Sequence, residues 1–257
     1  MRSSLASVSR SADESAALRE LRIDLAAAFR WFARLGMVEA VANHFSVAVN
    51  PEGTQFLINP CRRHFSQITA SSLLLLDAHD SATLERPDAP DPTAWYLHAR
   101  MHANLPHARC ILHLHSKYAT ALACLEDPTL YPIDMNAARF FGRVAVDSDF
   151  AGMALSNAEA DRQAVMLTQG KSVLLMANHG VLVIGATVAD AFDELFYFER
   201  AAERLITCYS TGQPLRILSD SVAEVTQRQW LECEGFARAH LNAVKEILDA
   251  QEPDYRR

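Results

Sequence analysis

The stretch Ile111-Leu112-His113-Leu114-His115 constrains the fold of this chain more than any other. An apolar run this short, broken only by alternating imidazoles, reads as a buried strand. Side chains i and i+2 of a strand point to the same face, so His113 and His115 project together, about 7 Å apart along the strand. Two imidazoles side by side on a rigid element begin a transition-metal site, which still needs a third ligand and an open position. The chain offers His179, in Ala177-Asn178-His179-Gly180, at a tight corner between the apolar runs Val173–Met176 and Val181–Ile184. A hydrogen-bonded or solvent-facing His pair would show the same spacing, so the pair alone leaves both readings open.

The other elements fall on either side of that strand. Ser11-Ala12-Asp13-Glu14 has the capping-box form and opens a helix to about Leu35, stopped by Gly36. Residues 1–12 read as a flexible tail and 13–257 as a single domain. The first dozen residues are also Arg- and Ser-rich without an acid, a composition shared with transit peptides. His44 to Val49 alternates as a strand, Pro51–Thr54 is a turn, and Gln55 to Asn59 returns as the second arm of a hairpin. Leu73 to Leu76 is a short apolar strand. Thr93 caps a helix from Ala94 to about Asn104, ended by Leu105-Pro106. Ser116 caps a short helix through Ala123, and 127–141 has no clear period. Val144–Val146 is a further strand, and Ser156 with Glu159 opens a helix to about Gln169. Thr187 with Asp190 opens a long helix to about Tyr209, and Ser221 with Glu224 opens a last one to about Ala250. Helices interleave with antiparallel-looking strands, which predicts an α/β domain with a mainly antiparallel sheet covered by helices.

Charge and cysteine content narrow the partners. A net charge of −7 argues against a nucleic-acid surface. No run of about 18 apolar residues is present, so no transmembrane helix and no membrane partner are expected. The five cysteines are scattered and none forms a CxxC pair, which fits free thiols in a reducing compartment and a cytoplasmic location.

Several motifs together resemble the class II aldolase/adducin family. They are Leu112-His113-Leu114-His115-Ser116, Ala119-Thr120-Ala121-Leu122 and Asn178-His179-Gly180-Val181-Leu182-Val183. To these add Asn43-His44-Phe45-Ser46, Phe56-Leu57-Ile58-Asn59-Pro60, His64-Phe65-Ser66 and Ala137-Ala138-Arg139-Phe140-Phe141-Gly142. The match runs in order over roughly residues 15 to 210. The resemblance implies a three-layer α/β/α fold and a divalent ion, Zn²⁺ or another such as Mn²⁺, Co²⁺ or Fe²⁺, on His113, His115 and His179. It implies carbon–carbon bond cleavage or formation beside a carbonyl, through a metal-stabilised enolate. His44 and Ser46 would stand in the substrate loop. Homotetramers with sites between subunits are common in the family.

The chain also departs from the sugar-phosphate aldolases it resembles. Where they carry a Glu four residues before the helix His, this chain has Ala94 before His98. Asp91, one turn earlier, is the substitute acid/base candidate, with a helix-cap role as its alternative. Where they use a Gly to approach phosphate, this chain has Cys61-Arg62-Arg63-His64. Arg62 and Arg63 offer planar, bidentate donors to an anionic small molecule. His98 is a proton carrier or a buried supporting residue. Tyr131 is a candidate phenol donor and Arg139 a substrate or interface contact, whereas His102 and His107 read as surface residues. The expectation is a metal-dependent lyase acting on a small hydroxy-carbonyl or hydroxy-acid substrate. A decarboxylase or epimerase of the same family is the alternative, and a non-catalytic adducin-like interaction module is the rival from another class.

Overall fold

The computed structural model describes the backbone of residues 2–150 and 152–257, with side chains from residue 15 onward except residue 151. Seven strands form one sheet: β1 (His44–Ala48), β2 (Gln55–Ile58), β3 (Leu74–Asp77), β4 (Cys110–Leu114), β5 (Val144–Asp147), β6 (Val173–Met176) and β7 (Gly180–Gly185). Their spatial order is β3-β2-β1-β4-β7-β6-β5. Every neighbouring pair is antiparallel except β5 and β6, which run parallel. The His strand β4 therefore lies at the centre, between β1 and β7.

Eight helices are described: α1 (Arg2–Arg34), α2 (Pro92–Asn104), α3 (Lys117–Ala123), α4 (Met135–Ala138), α5 (Asn157–Met166), α6 (Val188–Ser210), α7 (Asp220–Leu231) and α8 (Phe236–Gln251). Alternation along the strands sorts them into two layers. Phe45, Val47, Leu112 and Val183 join the larger core with α1, α3, α6 and α8. Ile111, Leu174, Leu182 and Ile184 face the other way, onto α2 and α5. His113 has the parity of Ile111, so its imidazole enters the layer beneath α2. The predicted three-layer α/β/α architecture with a mainly antiparallel sheet is the one observed.

Several boundaries move. Helical backbone begins at Arg2, so it runs through the segment read as a tail and past the Ser11–Glu14 box. Helix α2 is capped by Asp91, whose carboxylate accepts from the Thr93 backbone N–H, so Pro92 takes the first helical position, where its missing N–H costs nothing. The single last helix is two. Gly235, at φ +75°, breaks the chain between α7 and α8 in a left-handed turn that side-chain-bearing residues resist. The stretch without a period contains α4, started by Asp134.

The His strand is tied down at its end in a way the local sequence hides. Ser116 precedes α3, but its side chain makes no capping bond to that helix. The cap is Glu199, from α6. Its buried carboxylate accepts from the Ser116 hydroxyl (2.6 Å), from Tyr118 N (3.0 Å) and from Ala119 N (2.9 Å). A carboxylate against free N–H groups at a helix start is held by charge as well as hydrogen bonds. It anchors the turn directly after His115.

Candidate metal centre

Three imidazoles converge at one end of the sheet. The ring centroids of His113, His115 and His179 lie 4.8–4.9 Å apart pairwise, and one nitrogen from each falls within 4.8 Å of the others. β4 supplies His113, and His115 follows directly after it on the same face. His179 comes from the three-residue β6–β7 turn Ala177-Asn178-His179, across which Met176 pairs with Gly180. Asn178 there takes φ +56°, a left-handed value that Asn tolerates better than most residues. Gly180 admits no substituent, because a Cβ would stand 2.6 Å from the Leu114 carbonyl and 2.9 Å from the His115 ring. The Asn-His-Gly sequence is thus the geometry that sets His179 against the pair.

Hydrogen bonds assign the ring nitrogens. Nδ1 of His113 lies 3.0 Å from the Val181 carbonyl, an acceptor only, so Nδ1 carries the proton. His115 Nδ1 donates to Glu39 Oε2 at 2.6 Å. Both Nε2 atoms, 3.0 Å apart, then turn lone pairs toward each other. Converging lone pairs repel unless a cation lies between them, and metal-bound imidazoles commonly donate their other N–H to a carbonyl or carboxylate. Burial favours the neutral, ligating form. It pushes His113 well below its ordinary value and His179 down to about 4, with neighbouring imidazoles adding to the shift. The donor set fits a divalent transition metal.

The three rings open into a cavity of about 470 Å³ that also meets His44, Arg62 and Asp91. Arg62 sits in its loop at φ +59°, and Asp91 faces the cavity while capping α2. Ala94, at the position of the absent Glu, is packed into a small core under β2 and β3 and presents no acid. Other candidates stand elsewhere. Ser46 shares the face of His44 but lies two residues further along β1, where it is fully buried against His98 and His102 and does not line the cavity. His98 is buried beside His44, at 2.7 Å. Arg63 is exposed outside the cavity. Tyr131 donates to Asp127 on the far side of the β5 edge, and Arg139 is buried against Asp193 and Glu194. His102 is buried, not on the surface, whereas His107 is exposed as expected, with its Nε2 3.1 Å from the Leu167 carbonyl. Glu39, 76 residues upstream of His115, has no sequence spacing that ties it to that ring, whereas His102 is the i+4 partner of His98 on one helix face.

The sequence model of the Class II Aldolase and Adducin N-terminal domain matches residues 23–206. The chain belongs to the class II aldolase and adducin family. Decarboxylase NovR of Streptomyces niveus is 29% identical over 210 residues, covering 81% of this chain and 77% of that protein. An aldolase II superfamily protein from Pseudomonas syringae superimposes with a TM-score of 0.83 at 30% identity, covering 93% of this chain and 96% of that one. An L-fuculose 1-phosphate aldolase from Glaciozyma antarctica PI12 shares the fold, with a TM-score of 0.81 at 24% identity over 95% of this chain and 94% of its own.

Proposed function

We propose that this family member is a divalent-metal-dependent lyase that cleaves or forms a carbon–carbon bond next to a carbonyl, in a small anionic hydroxy-carbonyl or hydroxy-acid substrate. The observation that carries the reading is the convergence of His113, His115 and His179, with two tautomers set so that Nε2 faces inward. A Zn²⁺, Mn²⁺, Co²⁺ or Fe²⁺ ion held there would supply a Lewis acid for the negative charge that develops beside a carbonyl as the bond opens. The protein's own residues do the rest. Arg62 binds a carboxylate or phosphate at the cavity wall through its planar donors. Two carboxylates line the cavity; Glu39 accepts from His115, which leaves Asp91 as the acid/base. His98 acts from behind His44. Tyr131 and Arg139 lie away from this cavity within one chain, so any part they play requires a neighbouring subunit. A homotetramer with sites between subunits is proposed on that basis, and a cytoplasmic location on the free, scattered cysteines.

Decarboxylation is the second reading. Arg62 in the cavity suits a substrate carboxylate, and one relative carries the name of a decarboxylase. Loss of CO₂ and aldol cleavage both leave negative charge beside a carbonyl, so one site serves either. Elemental analysis of protein purified without chelator tests the core of the proposal. About one ion per chain, lost in His113→Ala with the fold intact, is expected. A metal-free protein that takes up none on titration, or His113→Ala with unchanged metal, overturns the lyase and favours an interaction module. Carbon balance in cleavage screens on keto- and hydroxy-acids then separates the two reactions.

A further inference from the structure

Behind the cavity wall runs a chain of buried side chains that metal ligation does not use. His44 Nδ1 lies 2.7 Å from His98 Nε2. His98 Nδ1 contacts Ser46 Oγ. Ser46 Oγ lies 2.7 Å from His102 Nε2, and His102 Nδ1 lies 2.9 Å from the Ala108 carbonyl. All four side chains are buried, and none of them hydrogen-bonds a carboxylate. Each imidazole therefore carries one proton.

The chain has a single consistent direction. The Ala108 carbonyl only accepts, so His102 Nδ1 bears the proton and His102 Nε2 accepts. Ser46 must then give its one proton to His102 and can only accept from His98. His98 Nδ1 bears the proton, which leaves His98 Nε2 to accept from His44. His44 is thereby Nδ1–H, and its Nε2 is a lone pair. That nitrogen has no protein partner among the described residues, and His44 lines the cavity beside His113. A backbone carbonyl at one end of the chain sets the chemistry at the other.

We infer that the Ala108–His102–Ser46–His98 chain locks His44 as a hydrogen-bond acceptor in the cavity, selecting ligands that present a hydroxyl donor there. His102, Ser46 and His98 are positioning residues, and His44 is the one that meets the ligand. The inference shares its cavity with the proposed lyase reading, and the hydroxyl requirement sharpens the substrate class. The tautomer lock itself does not depend on a metal.

Long-range ¹H–¹⁵N correlation on histidine-labelled protein reads each tautomer directly, with metal content measured in the same samples. Wild-type His44 is expected as Nδ1–H with and without zinc. Ser46→Ala deletes one hydroxyl, so His98 and His44 should become tautomer mixtures while zinc content stays unchanged; Ser46→Thr should restore the single tautomer. Glycolate and acetate differ only in a hydroxyl donor, and glycolate alone should shift His44 Nε2. An Nε2–H tautomer in the wild type, or a tautomer unmoved by Ser46→Ala, overturns the lock. Equal responses to glycolate and acetate, or none, overturn the hydroxyl selection. Loss of zinc in His44→Phe would make His44 a metal ligand and overturn its role as acceptor. A protein that binds no zinc yet shows the predicted tautomers removes the lyase reading and leaves the lock standing.

Discussion

Arg62 holds a left-handed backbone conformation at the mouth of the cavity, where a glycine would rest without strain. For a residue with a Cβ this costs about 1–2 kcal/mol. A cost of this kind persists at a position where the side chain is used. Arg62→Gly should therefore raise the urea midpoint slightly, by about 1 kcal/mol of stability. It should also weaken binding of inorganic phosphate or acetate in the cavity about tenfold, the size expected for losing a charge-assisted contact. Calorimetric titration of both proteins checks this, and equal affinities would reduce Arg62 to a solvated surface group. At this scale the His113–His115 pair is legible in the sequence, because strand parity gives direction as well as identity, whereas His179, in a turn, is picked out only by its Asn-His-Gly motif. Ser46 shows the limit. The motif Asn43-His44-Phe45-Ser46 places it near the cavity, yet only the pairing of β1 with β4 reveals that it turns under α2. Arg139 stands in a short motif that carries no parity and Tyr131 in no motif, and nothing in their spacing tells which wall they face.

Elements, not single residues, hold the imidazoles to one another. Glu199 on α6 accepts three hydrogen bonds at the start of α3, immediately after His115. Glu199→Ala would strand the Ser116 hydroxyl and two backbone N–H groups in a buried place, a loss of about 2–4 kcal/mol. Glu199→Gln keeps one acceptor oxygen and should lose less. Denaturant unfolding measures both, and an alanine variant within experimental error of the parent would mean that the cap carries no load. At the opposite corner, Gly180→Ala should cost stability, because a Cβ 2.6 Å from the Leu114 carbonyl forces the backbone to shift, and should push the His115 ring away from His179. Zinc affinity should then fall at least tenfold in a competition titration with a chelating dye, whereas unchanged affinity would show that the turn yields. Capping signals made most helices readable, because a side-chain oxygen three residues from its target N–H is a local event. Two starts defied that logic. The carboxylate capping α3 comes from α6, and α2 begins on Asp91 because Pro92 prefers the first helical position.

Across the whole molecule, the sheet order is the part that local patterns could not disclose. β4 pairs with β1 and β7, partners far apart in the chain, and the parallel β5–β6 pair arises only because β5 reaches the edge beside β6. That order carries His44, His98, His102, His113 and His179 into the interior at one end of the sheet, and their burial sets how the fold meets acid. Burial holds His44 at about 3 and His102 and His179 at about 4, against an ordinary value of about 6.5, and moves His98 and His113 in the same direction. The unfolded chain takes up protons as pH drops through about 6.5, while the folded chain refuses them until near 4. The unfolded state therefore binds more protons across that interval, and stability must fall with pH there, having been fully present above it. Each such histidine contributes a slope of up to about 1.4 kcal/mol per pH unit, and mutual coupling makes the total smaller than the sum. Metal-stripped protein should thus show a urea midpoint that is flat above pH 7 and drops steeply between pH 6 and about 4.5. Replacing His102 by Phe should flatten that drop by about one proton's worth of slope. A midpoint indifferent to pH down to 5 would mean that these rings take up protons inside the fold, and the single-proton-per-ring arrangement behind His44 would fall with it.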